Sequence, residues 1–458
     1  MNRSSSPIVS LLVFVFMVTC LIFNIQFSHP VGAGVSDVSQ RLPINLIVDP
    51  LLYSQLAKLT ASDAAADDFF GYTVSLSGDT ALVGAHRDDD GGDSSGSAYI
   101  FERDQGGADS WGQVTKLTTS NAAASDHFGI AVSLSGDTAL VGSYGDFFYS
   151  GSAYIFERNQ GGANNWGQVA KLTASDAAGS DYFGHAVSLS GDIALVGAYG
   201  DQDGGVLSGS AYIFERNHDG SNNWGQVAKL TASDADADDR FGLAVSLSGD
   251  TALVGAQWND DGGDYSGSAY IFERSQGGAN NWGQVVKLIA SDTELADLFG
   301  SAVSLSGDTA LVGAYGDDDN RGSAYIFERN QGGANNWGQV AKLMASDGAA
   351  IDGFGINVAI SGDTAVVGAC CDDDNGTDSG SAYIYVRDGN GNWSQQAKLT
   401  ASDGAADDSF GRAVSLSGDM ALVGARGDDD GGNSSGSAYI FNFVEMSFTI
   451  YLPFVTKP

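Results

Sequence analysis

The sequence predicts an all-β fold: a seven-bladed β-propeller of four-stranded antiparallel blades, closed by an N-terminal strand. Three observations carry that expectation. Phe-Gly recurs at Phe70, Phe128, Phe183, Phe241, Phe299, Phe354 and Phe410, at intervals of 58, 55, 58, 58, 55 and 56 residues, so one unit has been copied with small loop changes. A period of this size marks a repeat architecture. Inside the unit, apolar residues follow strand rather than helix spacing. The last unit also lacks a strand that the start of the chain supplies.

The third copy shows the elements in order. Residues 186–190 (AVSLS) read as a short strand, and Gly191-Asp192 as a two-residue connection whose leading Gly suits a type II′ hairpin turn. Residues 193–198 (IALVGA) are almost wholly apolar, as in a strand covered on both faces. A Gly/Asp/Ser loop over 199–208 leads into the β-forming run 209–216 (GSAYIFER), and an Asn/Gly turn over 217–223 leads into 224–230 (WGQVAKL). The result is an antiparallel meander. Alone it leaves two apolar faces in water; stacking seven around an axis buries both. An open solenoid would need polar capping repeats, and none is visible.

Closure follows from a count of fourth strands. Six follow a third strand and begin at Trp111, Trp166, Trp224, Trp282, Trp337 and Trp393, whereas the last unit stops after 437–441 (SAYIF). The missing copy stands at 53–59, where YSQLAKL reads against WSQQAKL at 393–399, with Tyr53 in the Trp position and Lys58 in the Lys position. Pairing it with the last blade removes two open sheet edges at once.

Over residues 51–443 the pattern resembles the FG-GAP repeat family, known from integrin α-chain heads and from bacterial surface and secreted proteins. The resemblance rests on Phe-Gly, on Val83-Gly84-Ala85 and its counterparts, and on the Gly-Ser-Ala-Tyr strand. It implies an integrin α-like propeller that binds partners outside the cell, in adhesion for instance. Two departures limit what carries over. No copy has the family's Pro after Gly-Ala; His86, Tyr144, Tyr199, Gln257, Tyr315, Cys370 and Arg426 take that position. A tight Ser-Gly-Asp turn replaces the Asp-rich calcium loop that the family places between the first two strands, so those calcium sites do not carry over.

The ends read differently. Residues 1–33 look like a secretory signal, with Arg3, an apolar core over 8–23 and the small residues Val31-Gly32-Ala33 for cleavage; an uncleaved membrane anchor is the alternative. Residues 34–50 read as a linker. Residues 444–458 form an apolar tail that is too short to span a membrane as a helix and contains Pro453. The tail reads as a sorting or docking segment, or as an extra strand competing with 53–59. Removing the signal takes Cys20 and leaves the adjacent Cys370 and Cys371, which cannot make a disulfide framework.

The formal charge is −36, and the topology polarises it. In a meander the 4→1 and 2→3 connections share one face of the ring. That face receives the Asp runs and most of the 57 acidic residues. Such a face repels phosphate backbones, which argues against nucleic acid, and attracts cations or basic surfaces. Asp, Gly and Ser are also ordinary turn residues. The sharper reading is Ca²⁺ held by carboxylates and backbone carbonyls, with Asp88, Asp90, Asp93, Asp317, Asp319, Asp372, Asp374, Asp428 and Asp430 as candidate ligands. The Asp two residues before every Phe-Gly (Asp68 and its six counterparts) is read as structural, its carboxylate accepting backbone N–H groups.

Catalytic signals are missing. The five His have no metal-ligand spacing, and no Ser/His/Asp order stands out. Arg426-Gly427-Asp428 spells an adhesion tripeptide but matches Tyr199-Gly200-Asp201 in the repeat, with Arg in the Tyr position. The expectation is therefore a monomeric, non-enzymatic binding or adhesion scaffold, secreted or on the cell surface. It would contact protein or glycan through the acidic loop face, touching a membrane only through an N-terminal anchor. An extracellular hydrolase with a carboxylate site in the channel, or a purely structural envelope component, are the alternatives.

Overall fold

The computed structural model describes residues 43–47, 52–444 apart from 161, 219, 277 and 332, and 447–451. The residues expected as a signal lie outside these, as do most of the expected linker and tail. Residues 52–444 form seven four-stranded antiparallel sheets with neighbours in meander order. Blade 1 comprises Thr73–Ser77, Thr80–Ala85, Ser97–Glu102 and Gly112–Leu117. Blades 2 to 6 repeat it along the chain. In blade 7, Phe410–Ser417, Met420–Ala425 and Ser437–Val444 are joined by the N-terminal strand Leu52–Leu59, with Tyr53 opposite Phe443 and Leu59 opposite Ala438. The first strand of each blade lies against that of the next, and blade 7 against blade 1, so seven first strands surround one axis.

A second unit, taken by itself, is a two-stranded antiparallel sheet of Pro43–Ile47 and Ser447–Tyr451. The segment read as a linker thus contains a strand. The tail strand pairs with it, while Leu52–Leu59 holds the fourth place in blade 7.

The repeat residues explain the architecture. Gly78 has φ +55° and Asp79 stays outside the left-handed region, as a type II′ turn requires. The second strand is buried at all six positions, which its unbroken apolar run demands. Phe70 is 0 % exposed, and its ring meets Tyr99 and Phe101 edge-on at 5.5 and 5.8 Å. Its backbone N–H donates to the Ser435 carbonyl of blade 7 (3.0 Å), so this residue fastens two blades together. Phe-Gly and Val-Gly-Ala are two sides of one contact. A Cβ on Gly84 would lie 2.1 Å from the Gly129 carbonyl of the next blade, and Gly129 itself has φ +88°.

The Ser in the middle of the first strand links neighbouring blades. Ser75 Oγ accepts the backbone N–H of Leu134 in blade 2 (2.9 Å), Ser133 that of Leu189, and so on round to Ser415 and Leu76 (3.0 Å). Asn357 takes the place once, accepting from Val414. Free N–H groups on the inner strand edges are thereby satisfied. Further out, Arg158 of blade 2 meets Glu102 of blade 1 at 2.6 Å, and the same Arg–Glu pairing recurs up to Arg387 and Glu328.

Candidate functional site

Two regions of the acidic loop face carry concentrated chemistry. The outer one is repeated in every blade. Its centre is the lysine next to the last residue of the fourth strand, placed opposite the Tyr of the third strand after a β-bulge. Lys116 Nζ lies 2.8 Å from Asp63 Oδ2, 2.8 Å from Asp88 Oδ2 and 2.5 Å from Asp90 Oδ2, and the Tyr99 hydroxyl donates to Asp88 (2.8 Å) and Asp63 (3.0 Å). The same arrangement holds Lys229 with Asp176, Asp201 and Asp203, Lys398 with Asp347, Asp372 and Asp374, and Lys58 with Asp403, Asp428 and Asp430. In blade 4, Asn259 replaces the middle carboxylate, and Lys287 also meets Asp234 and Asp261. Lys342 keeps Asp292 and Asp317, and Lys171 keeps Asp146.

The electrostatics follow from that packing. Burial pushes the Lys116 ammonium down, but its bonds to Asp63, Asp88 and Asp90 outweigh this and hold it above the ordinary lysine value. Burial likewise pushes Asp88 up, and Lys116 and Tyr99 bring it below the usual carboxylate range. Tyr99 is raised by burial and by the Asp88 charge.

Of the candidate metal ligands, Asp88 and Asp90 come together with Asp63, and Asp428 and Asp430 with Asp403; Asp176, Asp201 and Asp203 make a third triad. The oxygens of each triad lie within 4.8 Å of one another, so these three groups could hold a metal ion. Asp372 and Asp374 surround Lys398, and Asp317 meets Lys342. Asp93 and Asp319 are exposed and belong to none of these groups. Sequence reasoning missed Asp63, Asp176, Asp403 and the lysines, although Ala-Ser-Asp after the fourth strand was a repeated signal. The Asp before each Phe-Gly accepts a backbone N–H: Asp68 Oδ2 from Ala65 at 2.7 Å, Asp297 from Glu294 at 2.6 Å. Burial pushes both carboxyls up, to about 6. In Arg426-Gly427-Asp428 the carboxylate is buried and held by Lys58 and Tyr439, so the tripeptide is not displayed as an adhesion loop.

The inner region is not repeated. The residues after Phe-Gly and after Val-Gly-Ala converge where the first strands begin and the second strands end. They close over an axial cavity of about 370 Å³ lined by all seven first strands. Below its mouth the wall is Val74, Val132, Val187 and their counterparts. No Asp or Glu is among its described lining residues. At the mouth, aromatic and imidazole rings pack in sequence: Tyr72 on His86 at 4.2 Å, His127 on Tyr144 at 4.9 Å, Tyr182 stacked on Tyr199 at 4.9 Å. Burial, then His127 and Arg87, hold His86 down at about 3, so it is neutral. Four arginines join these rings. Arg412 and Arg426 lie 5.6 and 5.7 Å from the Tyr72 ring, Arg87 lies 4.6 Å from that of Phe69, and Arg240 lies 3.2 Å from that of Trp258.

Fold and site together define a repeat propeller with a structural periphery and an individual axis. The FG-GAP repeat family matches residues 53–101, 111–156, 166–214, 224–272, 282–327, 337–385 and 393–441, and the chain belongs to that family. Each match begins at a fourth strand and ends in the third strand of the next blade, so the first match starts at the strand that completes blade 7. No curated protein matches the chain. Among the described residues no helix is long and apolar enough to cross a membrane.

Proposed function

We propose that this chain is a secreted or cell-surface binding scaffold, adhesive in role and without a reaction of its own, that contacts a protein or glycan through its loop-bearing face. One observation carries the reading. In a chain of near-identical units, the residues that differ from blade to blade gather at the axial mouth on that face, where Tyr72, Tyr144, Tyr182 and Trp258 are only half-buried. The blade 2 loop adds Phe147 and Phe148, which are 74 % and 82 % exposed. Exposed rings beside an aromatic cleft suit recognition. The absence of Asp and Glu from the described lining residues of the axial cavity supports a binding role over glycoside hydrolysis there. The blade edges pair within the ring, which suits a monomer. Capture of cell-surface material by residues 51–444, with a variant carrying Phe147→Ser and Phe148→Ser in parallel, tests the reading. Specific capture weakened by the loop variant supports it; no specific capture by the folded protein overturns it.

Calcium enters through the three triads. Their oxygens suit a hard cation, yet in each the lysine ammonium already lies among them, so the ion must displace it. Millimolar Ca²⁺ should therefore raise the melting temperature of the parent little beyond ionic-strength-matched NaCl. With Lys116→Gln the gain from Ca²⁺ should become clear, by mass action on the folded state. No Ca²⁺-specific gain in either protein would remove calcium from the account.

A further inference from the structure

Among the described residues every lysine has a carboxylate within 4.0 Å, and so has every arginine except Arg87, Arg240, Arg412 and Arg426. In a chain of formal charge −36, unpaired guanidiniums are the exception. All four belong to the inner ring of the loop face. Arg412 and Arg426 flank one tyrosine, Tyr72, and Arg412 lines the axial cavity. They stand at equivalent positions of blade 7 to those held by Ile130 and Tyr144 in blade 2, so the repeat does not require a charge at either. Burial and the neighbouring Arg412 push Arg426 below its ordinary value, whereas Arg412, though buried, is held above its own by Tyr72 and Cys370. Beside them His86, buried and 4.2 Å from Tyr72, has an Nδ1 with no hydrogen-bond partner.

We propose that the axial mouth binds one anionic group, the carboxylate of an acidic sugar at the end of a glycan, with Arg412 and Arg426 as its ligands. This deepens the scaffold reading above and rests on it. The planar forks of two guanidiniums match a carboxylate. Tyr72 and Tyr315 line the cavity beside Arg412, and its volume of about 370 Å³ admits a sugar residue. The acidic loops around the mouth select against a polyanion, because its further charges would face the Asp runs. A glycan with a single charged end meets the arginines without that repulsion.

Titration calorimetry on residues 51–444 tests this with glucuronic acid joined to glucose, its neutral glucose–glucose analogue, a heparin fragment and a Glu-containing peptide. The acidic disaccharide is expected to bind, the neutral analogue about tenfold or more weaker, as loss of a charge-assisted pair implies. The heparin fragment should bind more weakly than the acidic disaccharide. Arg412→Gln and Arg426→Gln should each abolish the difference between acidic and neutral sugar. The Arg426→Gln protein should melt no lower than the parent, since it loses a like-charge neighbour; Arg426→Lys should keep part of the preference. Equal binding of both disaccharides, an unaffected double arginine variant, stronger binding by heparin or binding of the peptide alone would each overturn the inference. If surface capture persists while the sugars fail, the scaffold reading survives without this one; if capture fails too, both fall.

Discussion

The blade periphery and the axial mouth lie on the same face and are built by opposite rules. At the periphery, Lys116 and Tyr99 have counterparts in every blade, Asp88 in every blade but the fourth, where Asn259 stands, and each lysine meets at least one carboxylate. At the mouth, equivalent positions hold Tyr72, Ile130, His185, Leu243, Ser301, Ile356 and Arg412, and the cations lack anions. Repetition around a ring signals a requirement of the ring. Departure from it, concentrated at one place, signals a requirement of something else. Each peripheral cation is therefore neutralised within the protein, the acidic excess remains on the loops, and the arginines without a carboxylate are axial.

The comparison breaks most dramatically if the ring does not need its seam. Deleting residues 51–60 removes the fourth strand of blade 7 and Lys58, which clasps Asp403, Asp428 and Asp430. Cooperative unfolding should be lost or the chain should aggregate, as seen by calorimetry and light scattering; a truncation that melts like the parent would refute closure by this strand. Next in size, Phe241→Ala empties a fully buried position between blades 3 and 4 and should cost about 3–5 kcal/mol in a denaturant titration. Smaller again, Lys398→Met leaves Asp372 buried without its cation. Because Asp347 and Asp374 are half exposed and can rehydrate, the loss should be about 1–3 kcal/mol.

The propeller was legible because its information is local. Phe-Gly, the two-residue turn and the apolar second strand each sit within a few residues, and their period is unmistakable. The clasp was not legible: Lys116 and Asp88 meet only after the meander folds back and a bulge resets the face on which the lysine lies. Asp63 comes from the connection that precedes its blade. The Ser that caps the next blade reads only as a strand residue, because its partner lies in another unit. The axial mouth was hardest, since each blade contributes only a residue or two and the set comes together only when the ring closes. Asp93 and Asp319, exposed in their loops, stand outside the three triads.

Acidity separates the two kinds of Asp in every unit. Asp68 and Asp297, raised to about 6, contribute stability at low pH that is lost as pH rises through that value. Asp88, Asp347 and Asp403 are lowered, so their contribution is present above the unfolded value of 3.8 and lost as pH falls. Melting temperature should peak near about pH 4 and fall between about pH 4 and 6, and Asp68→Asn with Asp297→Asn should flatten that alkaline limb. A monotonic rise towards neutral pH would contradict this assignment. The smallest effect is expected at Cys370 and Cys371, both free thiols: replacing them with Ser should leave the melting temperature nearly unchanged.

The central claim is that repeated residues hold the ring and unrepeated axial residues bind. It is tested most directly by capture of surface ligand, at a temperature where every protein is folded, comparing the parent, Lys398→Met and the double Arg412→Gln, Arg426→Gln variant. The account predicts capture at the parental level by Lys398→Met and a loss of about tenfold or more by the arginine variant. Capture lost with the peripheral lysine and kept without the axial arginines would contradict it.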